Sequence, residues 1–153
     1  MRLVVAVVGR PRSAGLAAAT ADYETRAARY WPLEVREVRE EPARGLGSDV
    51  VQRREGERLL ARAEPGEHVA CDATGRSFTS EQFAAWLSAL RDAARNVTFF
   101  IGGAVGLSSA IRGQCSMGLA LAPWTLPHEL ARCVLAEQLY RAGTIQRGEP
   151  YHK

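Results

Sequence analysis

The chain has 153 residues, of which 46% are hydrophobic. This length and composition suit one folded domain and exclude a disordered chain. No apolar run approaches the roughly 20 residues of a membrane-spanning helix, and the run after the first Arg is too short for a signal peptide. The net charge of +3 rests on 19 Arg and one Lys, which suits nucleic acid but equally fits a GC-rich genome.

The cysteines Cys71, Cys115 and Cys133 are odd in number and show no CxxC spacing. This pattern predicts free, buried thiols in a reducing compartment and argues against a disulfide framework or a metal site. With no export signal and no membrane segment, we expect a cytoplasmic protein.

Strands and helices are predicted to alternate along the chain. The predicted elements are, in order, a strand over Arg2–Val8, a helix over Leu16–Tyr30, a strand over Leu33–Arg39, a helix over Ser48–Ala63, a strand over His68–Cys71, a helix from the Thr79–Gln82 capping box to about Arg95, a strand over Asn96–Ile101, a short helix over Ser108–Cys115, a strand over Met117–Ala122 and a helix from Pro127 to about Ala142. This alternation predicts a single α/β domain over residues 1–153, with a mainly parallel sheet covered on both faces.

Ligands of parallel α/β folds bind at the carboxyl ends of the strands. Three loops follow strands here, at Cys71–Gly75, Gly102–Gly106 and Leu121–Leu126. The second loop is rich in glycine but is not GxGxxG, and no GxxxxGK[ST] occurs, so neither a dinucleotide fold nor a P-loop is predicted. A purely structural turn explains the glycines as well as a site does.

The last helix is apolar around most of its circumference, which predicts burial on more than one side. A homodimer interface accounts for this pattern, and an entirely intrachain groove is the alternative. Glu137 and Arg141 are one turn apart and are predicted to form a structural ion pair. His128, beside Pro127 at the helix start, is interpreted as a local hydrogen-bonding residue.

The terminal tail combines a ring, an imidazole and a cation in Tyr151, His152 and Lys153. This set is suited to gripping RNA. A frayed terminus is the simpler interpretation, because chain ends are usually poorly ordered.

Longer motifs carry a resemblance to a known family. They are IGGAVGLSS (Ile101–Ser109), REGERLL (Arg54–Leu60), the segment Asp72–Ala84, and LPHELARCVLAEQLYRAGTIQRGEPYHK (Leu126–Lys153). Over its whole length the chain resembles the ribosomal RNA large subunit methyltransferase H family, SPOUT-class enzymes that methylate N3 of a pseudouridine in 23S rRNA.

The resemblance implies a SPOUT-type fold with a C-terminal trefoil knot. It also implies S-adenosylmethionine as cofactor, no metal, an obligate homodimer, and 23S rRNA within the ribosome as the substrate. The cofactor positions of the family fall on Cys71, Gly102, Gly103, Leu121, Ala122, Pro123, Trp124, Thr125 and Leu126. The chain departs from the family pattern at Cys71, at Val105, at Ala120 and Ala122, and at the bulky pair Pro123–Trp124.

The chemistry implied is transfer of a methyl group to a weakly acidic imide nitrogen. Arg141 is expected to stabilise negative charge on the base, and His152 to accept the proton. Tyr151 is expected to stack on the target base and Lys153 to contact phosphate. Three alternatives stay open: a SPOUT enzyme with another RNA target, a non-catalytic RNA-binding module with a degenerate cofactor site, and an unrelated small-molecule-binding domain.

Overall fold

The computed structural model describes residues 1–152, and its elements follow the predicted order. The strands are β1 (Leu3–Val8), β2 (Leu33–Val38), β3 (Glu67–Ser77), β4 (Val97–Ile101) and β5 (Met117–Ala120). The helices are α1 (Ala14–Ala27), α2 (Ser48–Leu60), α3 (Ser80–Asp92), α4 (Ser109–Gln114) and α5 (His128–Gln146), followed by a 3-10 helix at Pro150–His152. Within residues 1–152, no helix is long and apolar enough to cross a membrane.

The five strands form one parallel sheet in the order β2-β1-β4-β3-β5. The central strand β1 pairs Val5 with Val35 of β2 on one side and with Phe99 of β4 on the other. The predicted parallel sheet is therefore confirmed. Because all strands run the same way, the loops that follow β3, β4 and β5 meet at one edge of the sheet.

Helices cover both faces of the sheet, which explains why β1 is apolar throughout. Val5 and Val7 face one core, and Ala6 and Val8 face the other. The first core takes side chains from α1, α3 and α5, including Ala27, Leu87, Leu135 and Leu139. The second takes Leu59 of α2 and Ile111 of α4. A strand that is buried on both faces is apolar at every position and does not alternate polar and apolar residues.

Strand β3 is longer than predicted. It was expected to end at Cys71, but the chain bulges over residues 72–75 and then pairs again with β5 through Arg76 and Ser77. Two glycines permit this return: a Cβ at Gly75 would lie 2.4 Å from the backbone carbon of Gly118. Sequence periodicity could not reveal this close approach, because it depends on two segments that lie far apart in the chain.

Helix α5 runs four residues beyond the predicted end at Ala142. Gly143 does not end the helix; a Cβ there would lie 2.4 Å from the ring carbon Cγ of Tyr30, so glycine leaves room for that ring. The buried apolar side chains of α5 pack within the chain, against α1, α3 and the sheet, while Leu130 stays 37% exposed. The intrachain groove therefore explains most of the helix's apolar character. The homodimer and the trefoil knot stay predictions.

Candidate cofactor and RNA site

A cleft of about 650 Å³ opens at the carboxyl edge of the sheet, where the three predicted loops meet. Most of its lining comes from the first loop (residues 71–74), the glycine loop (residues 102–104, 106 and 107) and the last loop (residues 121, 122 and 124–127). The first loop is the bulge within β3, and the other two follow β4 and β5, the strands on either side of β3 in the sheet. The volume is in the range of small-molecule sites in proteins.

Eight of the nine predicted cofactor residues line this cleft. They are Cys71, Gly102, Gly103, Leu121, Ala122, Trp124, Thr125 and Leu126. Pro123 does not line the cleft and is exposed. The structure thus brings together residues that stand up to 55 positions apart, and their role as cofactor contacts stays a prediction.

The glycine loop is tight enough that glycine is required at two positions. A Cβ at Gly102 would lie 2.6 Å from the backbone carbon of Gly106, and a Cβ at Gly103 would lie 2.9 Å from Glu55 Oε2. Gly106 has a φ of 77°, in the left-handed region, and its amide donates to the carbonyl of Gly103 at 3.0 Å. The loop therefore has no room for a side chain at Gly102 or Gly103, and both residues line the cleft with main chain alone.

Asp72 of the first loop is held by its own neighbours. Its carboxylate accepts a hydrogen bond from the Thr74 amide at 2.8 Å and another from the Thr74 hydroxyl at 2.6 Å. The Arg112 guanidinium pairs with the same carboxylate at 2.9 Å. These hydrogen bonds and the Arg112 charge lower the pKa of Asp72. Burial raises the pKa of the Cys71 thiol to about 12, so this thiol is neutral and not a nucleophile.

Trp124 stands at the mouth of the cleft. Its side chain is 76% exposed, one of two exposed large hydrophobic residues among those described. Apart from Asp72, Thr74, Thr125 and His128, the side chains that line the cleft are apolar. Such a lining, with exposed main chain, suits an adenosine-like ligand that combines an aromatic face with hydrogen-bonding edges. In residues 1–152, no group of three or more His, Cys, Asp and Glu is placed to hold a metal.

His128 is a lining residue that the sequence analysis did not assign to the site. It begins α5 directly after the last loop, and its buried Nε2 has no hydrogen-bond partner within the described chain. This nitrogen lies 3.8 Å from Glu40 Oε1, and the interpretation of His128 as a local hydrogen-bonding residue stays a prediction. Its position next to the last loop was the available signal.

The predicted catalytic residues Arg141 and Tyr151 contact each other through Glu137. The Arg141 guanidinium donates to Glu137 Oε1 at 2.6 Å and lies 4.8 Å from the Tyr151 ring centroid, and the Tyr151 hydroxyl donates to Glu137 at 3.0 Å. Tyr140 lies 4.5 Å from Tyr151, centroid to centroid. Burial and these hydrogen bonds raise the pKa of Tyr151, so its phenol stays neutral. The predicted ion pair of Glu137 with Arg141 is confirmed.

Neither Arg141 nor Tyr151 lines the cleft of its own chain. Arg141 lies 13 residues after His128 on α5, which is about 20 Å along a helix with a rise of 1.5 Å per residue. One chain therefore keeps these two groups of predicted site residues apart. The side chain of His152 and the whole of Lys153, both predicted for this site, lie outside the described residues.

The comparisons with known proteins agree along the full chain. A family model described as "Predicted SPOUT methyltransferase" matches residues 1–152. The chain is 62% identical over 155 residues to ribosomal RNA large subunit methyltransferase H of Gemmatimonas aurantiaca, covering 100% of both chains. It is 46% identical over 154 residues to the protein of the same name from Anaeromyxobacter sp., again covering 100% of both.

A solved structure of a probable methylase family protein from Haemophilus influenzae has the same fold. It aligns with 99% of this chain and 70% of its own, with a TM-score of 0.54 and 14% identity. At that identity the likeness bears on the fold alone, and it agrees with the predicted SPOUT-type α/β sheet. Together with the family model and the full-length relatives, these observations show that the chain belongs to the SPOUT methyltransferases, within the ribosomal RNA large subunit methyltransferase H family.

Proposed function

We propose that this protein transfers a methyl group from S-adenosylmethionine to N3 of a pseudouridine in the 23S rRNA of the large ribosomal subunit. One observation carries the proposal: a three-loop cleft at the carboxyl edge of the sheet, in a chain 62% identical over its full length to a protein named for this reaction class. The parallel sheet brings the loops together, and the family supplies the reaction.

S-adenosylmethionine fits the cleft in size and in chemical character. When bound, it supplies an activated methyl group on a sulfonium sulfur. Gly102 and Gly103 offer main-chain groups to the cofactor, and Leu121, Ala122, Thr125 and Leu126 line the cleft from the last loop. Trp124 lies at the rim, where its exposed indole can cover an aromatic base. Positioning is the main contribution of these residues, because the methyl group is already activated.

Residues near the C-terminus are proposed to act on the target base. Arg141 keeps its charge at all relevant pH values, because Glu137 raises its pKa further, and it stabilises the anion that develops on the uracil ring. His152 takes the N3 proton directly or through water. Tyr151 has its hydroxyl on Glu137 and its ring between Tyr140 and Arg141, so stacking on the target base requires it to leave these contacts.

A homodimer would bring the cleft of one subunit together with Arg141 and Tyr151 of the other. Because about 20 Å of α5 lies between His128 and Arg141 in one chain, the cleft of one subunit needs the C-terminal groups of the other. The exposed Leu130, on the part of α5 that follows the cleft, provides apolar surface for such a contact. We expect the dimer to act on 23S rRNA within the ribosome, and therefore in the cytoplasm.

The alternative of a non-catalytic RNA-binding module rests on the changes from the family pattern at Ala120, Ala122 and Trp124. In the structure, Pro123 is not among the residues that line the cleft, and Trp124 lines it with a side chain that is 76% exposed, which leaves a cleft of about 650 Å³ open. Ala120 is buried in β5 and pairs with Ser77. These substitutions therefore leave room for a cofactor, which favours the enzymatic function.

The test has two stages. Calorimetric titration of S-adenosylmethionine into the purified protein, with light scattering for the oligomeric state, should give binding to a dimer. Ribosomes from a strain lacking this methylation should then gain labelled methyl groups on 23S rRNA, located by mass spectrometry of fragments. No binding at millimolar cofactor would refute the methyltransferase function, and methyl transfer to transfer RNA alone would refute the substrate.

A further inference from the structure

The loop after β1 places two exposed arginines at the carboxyl edge of the sheet. Gly9 has a φ of 76° and its amide donates to the carbonyl of Val38 at 2.8 Å, so the chain leaves β1 in a turn at this residue. Arg10 and Arg12 follow, on either side of Pro11, whose ring fixes its φ. Their side chains are 84% and 78% exposed. The turn therefore holds two guanidinium groups in solvent, just before the start of α1.

These arginines line a groove of about 650 Å³ at the ends of β1 and β2. The charged residues of its lining are three arginines and two glutamates, namely Arg10, Arg12, Arg39, Glu37 and Glu40. A groove with this excess of cations suits an anionic partner. Arginine suits phosphate in particular, because its planar guanidinium can donate two parallel hydrogen bonds to phosphate oxygens.

The two glutamates leave these arginines free to change partners. Arg10 donates to Glu37 at 2.6 Å and Arg12 to Glu40 at 2.5 Å, but ion pairs made by such exposed side chains contribute little to stability. Glu37 has a second cation in Arg132, whose side chain is 8% exposed and lies 2.8 Å away. Arg10 can therefore move from Glu37 to a phosphate while Glu37 keeps a buried partner.

The groove adjoins the proposed cofactor cleft. Strands β1 and β4 are neighbours in the sheet, so the loop after β1 lies beside the glycine loop that follows β4. Glu40 connects the two sites, because its carboxylate pairs with Arg12 in the groove and lies 3.8 Å from Nε2 of His128, which lines the cleft. A long ligand that crosses this edge of the sheet can therefore contact both sites.

We propose that the groove at the ends of β1 and β2 binds phosphates of the RNA that carries the target base, with Arg10 and Arg12 as the principal contacts. Phosphate contacts fix the register of a nucleic acid and leave the choice of base to other groups. The two arginines thus position the RNA against the cleft and take no part in methyl transfer. This inference rests on the proposed function, which supplies RNA as the substrate.

The first test compares the Arg10→Gln/Arg12→Gln double variant with wild type in methylation of large ribosomal particles that lack this modification. KM for the particles should rise by about tenfold or more, because two charge-assisted contacts are lost. Since neither arginine lines the cleft, kcat and the dissociation constant of S-adenosylmethionine should stay within about twofold. The slope of log KM against log salt should fall by about 1.4–1.8, as expected for two phosphate contacts.

The matched control is the Arg2→Gln/Arg95→Gln double variant. Both arginines are about half exposed, and they pair with Glu64 and Glu67. They stand at the opposite, amino edge of the sheet, just before β1 and β4. The control therefore removes the same net charge from another surface, and its KM should stay within about twofold of wild type.

A second measurement identifies what occupies the groove. A photo-reactive benzophenone amino acid in place of Ala14, an exposed residue just after the two arginines, should crosslink to 23S rRNA when the protein is irradiated with the particles. The same group in place of Ala93, exposed at the amino edge, should give far less crosslinking. Crosslinks from position 14 to a ribosomal protein, or to a second copy of this chain, would assign the groove to that partner and overturn the proposal.

The outcomes separate this inference from the proposed function. If wild type methylates no ribosomal RNA in the particles, the proposed function fails and this inference with it. If wild type methylates the particles but the Arg10→Gln/Arg12→Gln variant has the KM and salt slope of wild type, only the phosphate groove is refuted. An equal rise of KM in both double variants would show a general effect of net charge, and it would refute the groove as well.

Discussion

Replacing Gly102 by Ala should disable the cleft through one added methyl group. The new Cβ would lie 2.6 Å from the backbone carbon of Gly106, 2.8 Å from the amide nitrogen of Leu107 and 2.9 Å from the Gly106 oxygen. These are backbone atoms, so the glycine loop itself must open. Overpacking of this kind costs about 1–3 kcal/mol, which for a domain of this size lowers Tm by about 2–12 °C.

Cofactor affinity is the more direct readout of this change, because the displaced backbone lines the cleft. We expect the dissociation constant for S-adenosylmethionine to rise by about tenfold or more, measured by calorimetry alongside urea unfolding. Gly113→Ala is the matched control: it adds a Cβ in α4 with no atom within 4 Å, so affinity should not change and stability should rise by up to about 1 kcal/mol. Wild-type affinity in Gly102→Ala would refute the reasoning.

Three further changes test other parts of the structure. His152→Ala should lower methyl transfer while leaving cofactor affinity unchanged, and unchanged turnover would remove His152 as the proton acceptor. Arg132→Ala leaves the partly buried Glu24 without its cation and removes one of the two cations of Glu37, which keeps Arg10. Urea unfolding should therefore show a loss of about 3 kcal/mol; a loss below about 1 kcal/mol would contradict a structural role. The lowered pKa of Asp72 means that its contribution to stability is present above about pH 4, the unfolded value, and is lost as pH falls through the folded pKa. Asp72→Asn should therefore reduce the acid-induced loss of stability, measured by urea unfolding from pH 7 to pH 3, and an unchanged acid limb would contradict this assignment.

The element order and the location of the cleft were predictable because they depend on local signals. The uninterrupted apolar run of β1 and the strand–helix alternation predict a parallel sheet with both faces covered. A parallel sheet then places every post-strand loop at one edge, whatever the strand order. The ion pair of Glu137 with Arg141 was predictable for the same reason, since it depends on one turn of one helix.

Contacts between distant segments were not predictable in this way. The return of β3 after its bulge needs Gly75 against Gly118, and the continuation of α5 needs Gly143 beneath Tyr30. From the sequence alone, each of these glycines is expected to mark a turn or the end of a helix. Only the packed structure shows that the missing Cβ makes room for a neighbour.

The α/β class, the three loops of the cleft and, through the long motifs, the family could all be inferred from the amino-acid sequence. The tertiary structure decided which residues act together. It placed the Glu55 carboxyl group behind Gly103, and it kept Arg141 about 20 Å along α5 from the cleft. The physical reason is that sequence periodicity reports the burial of each segment, whereas proximity depends on strand order and on how helices cross the sheet.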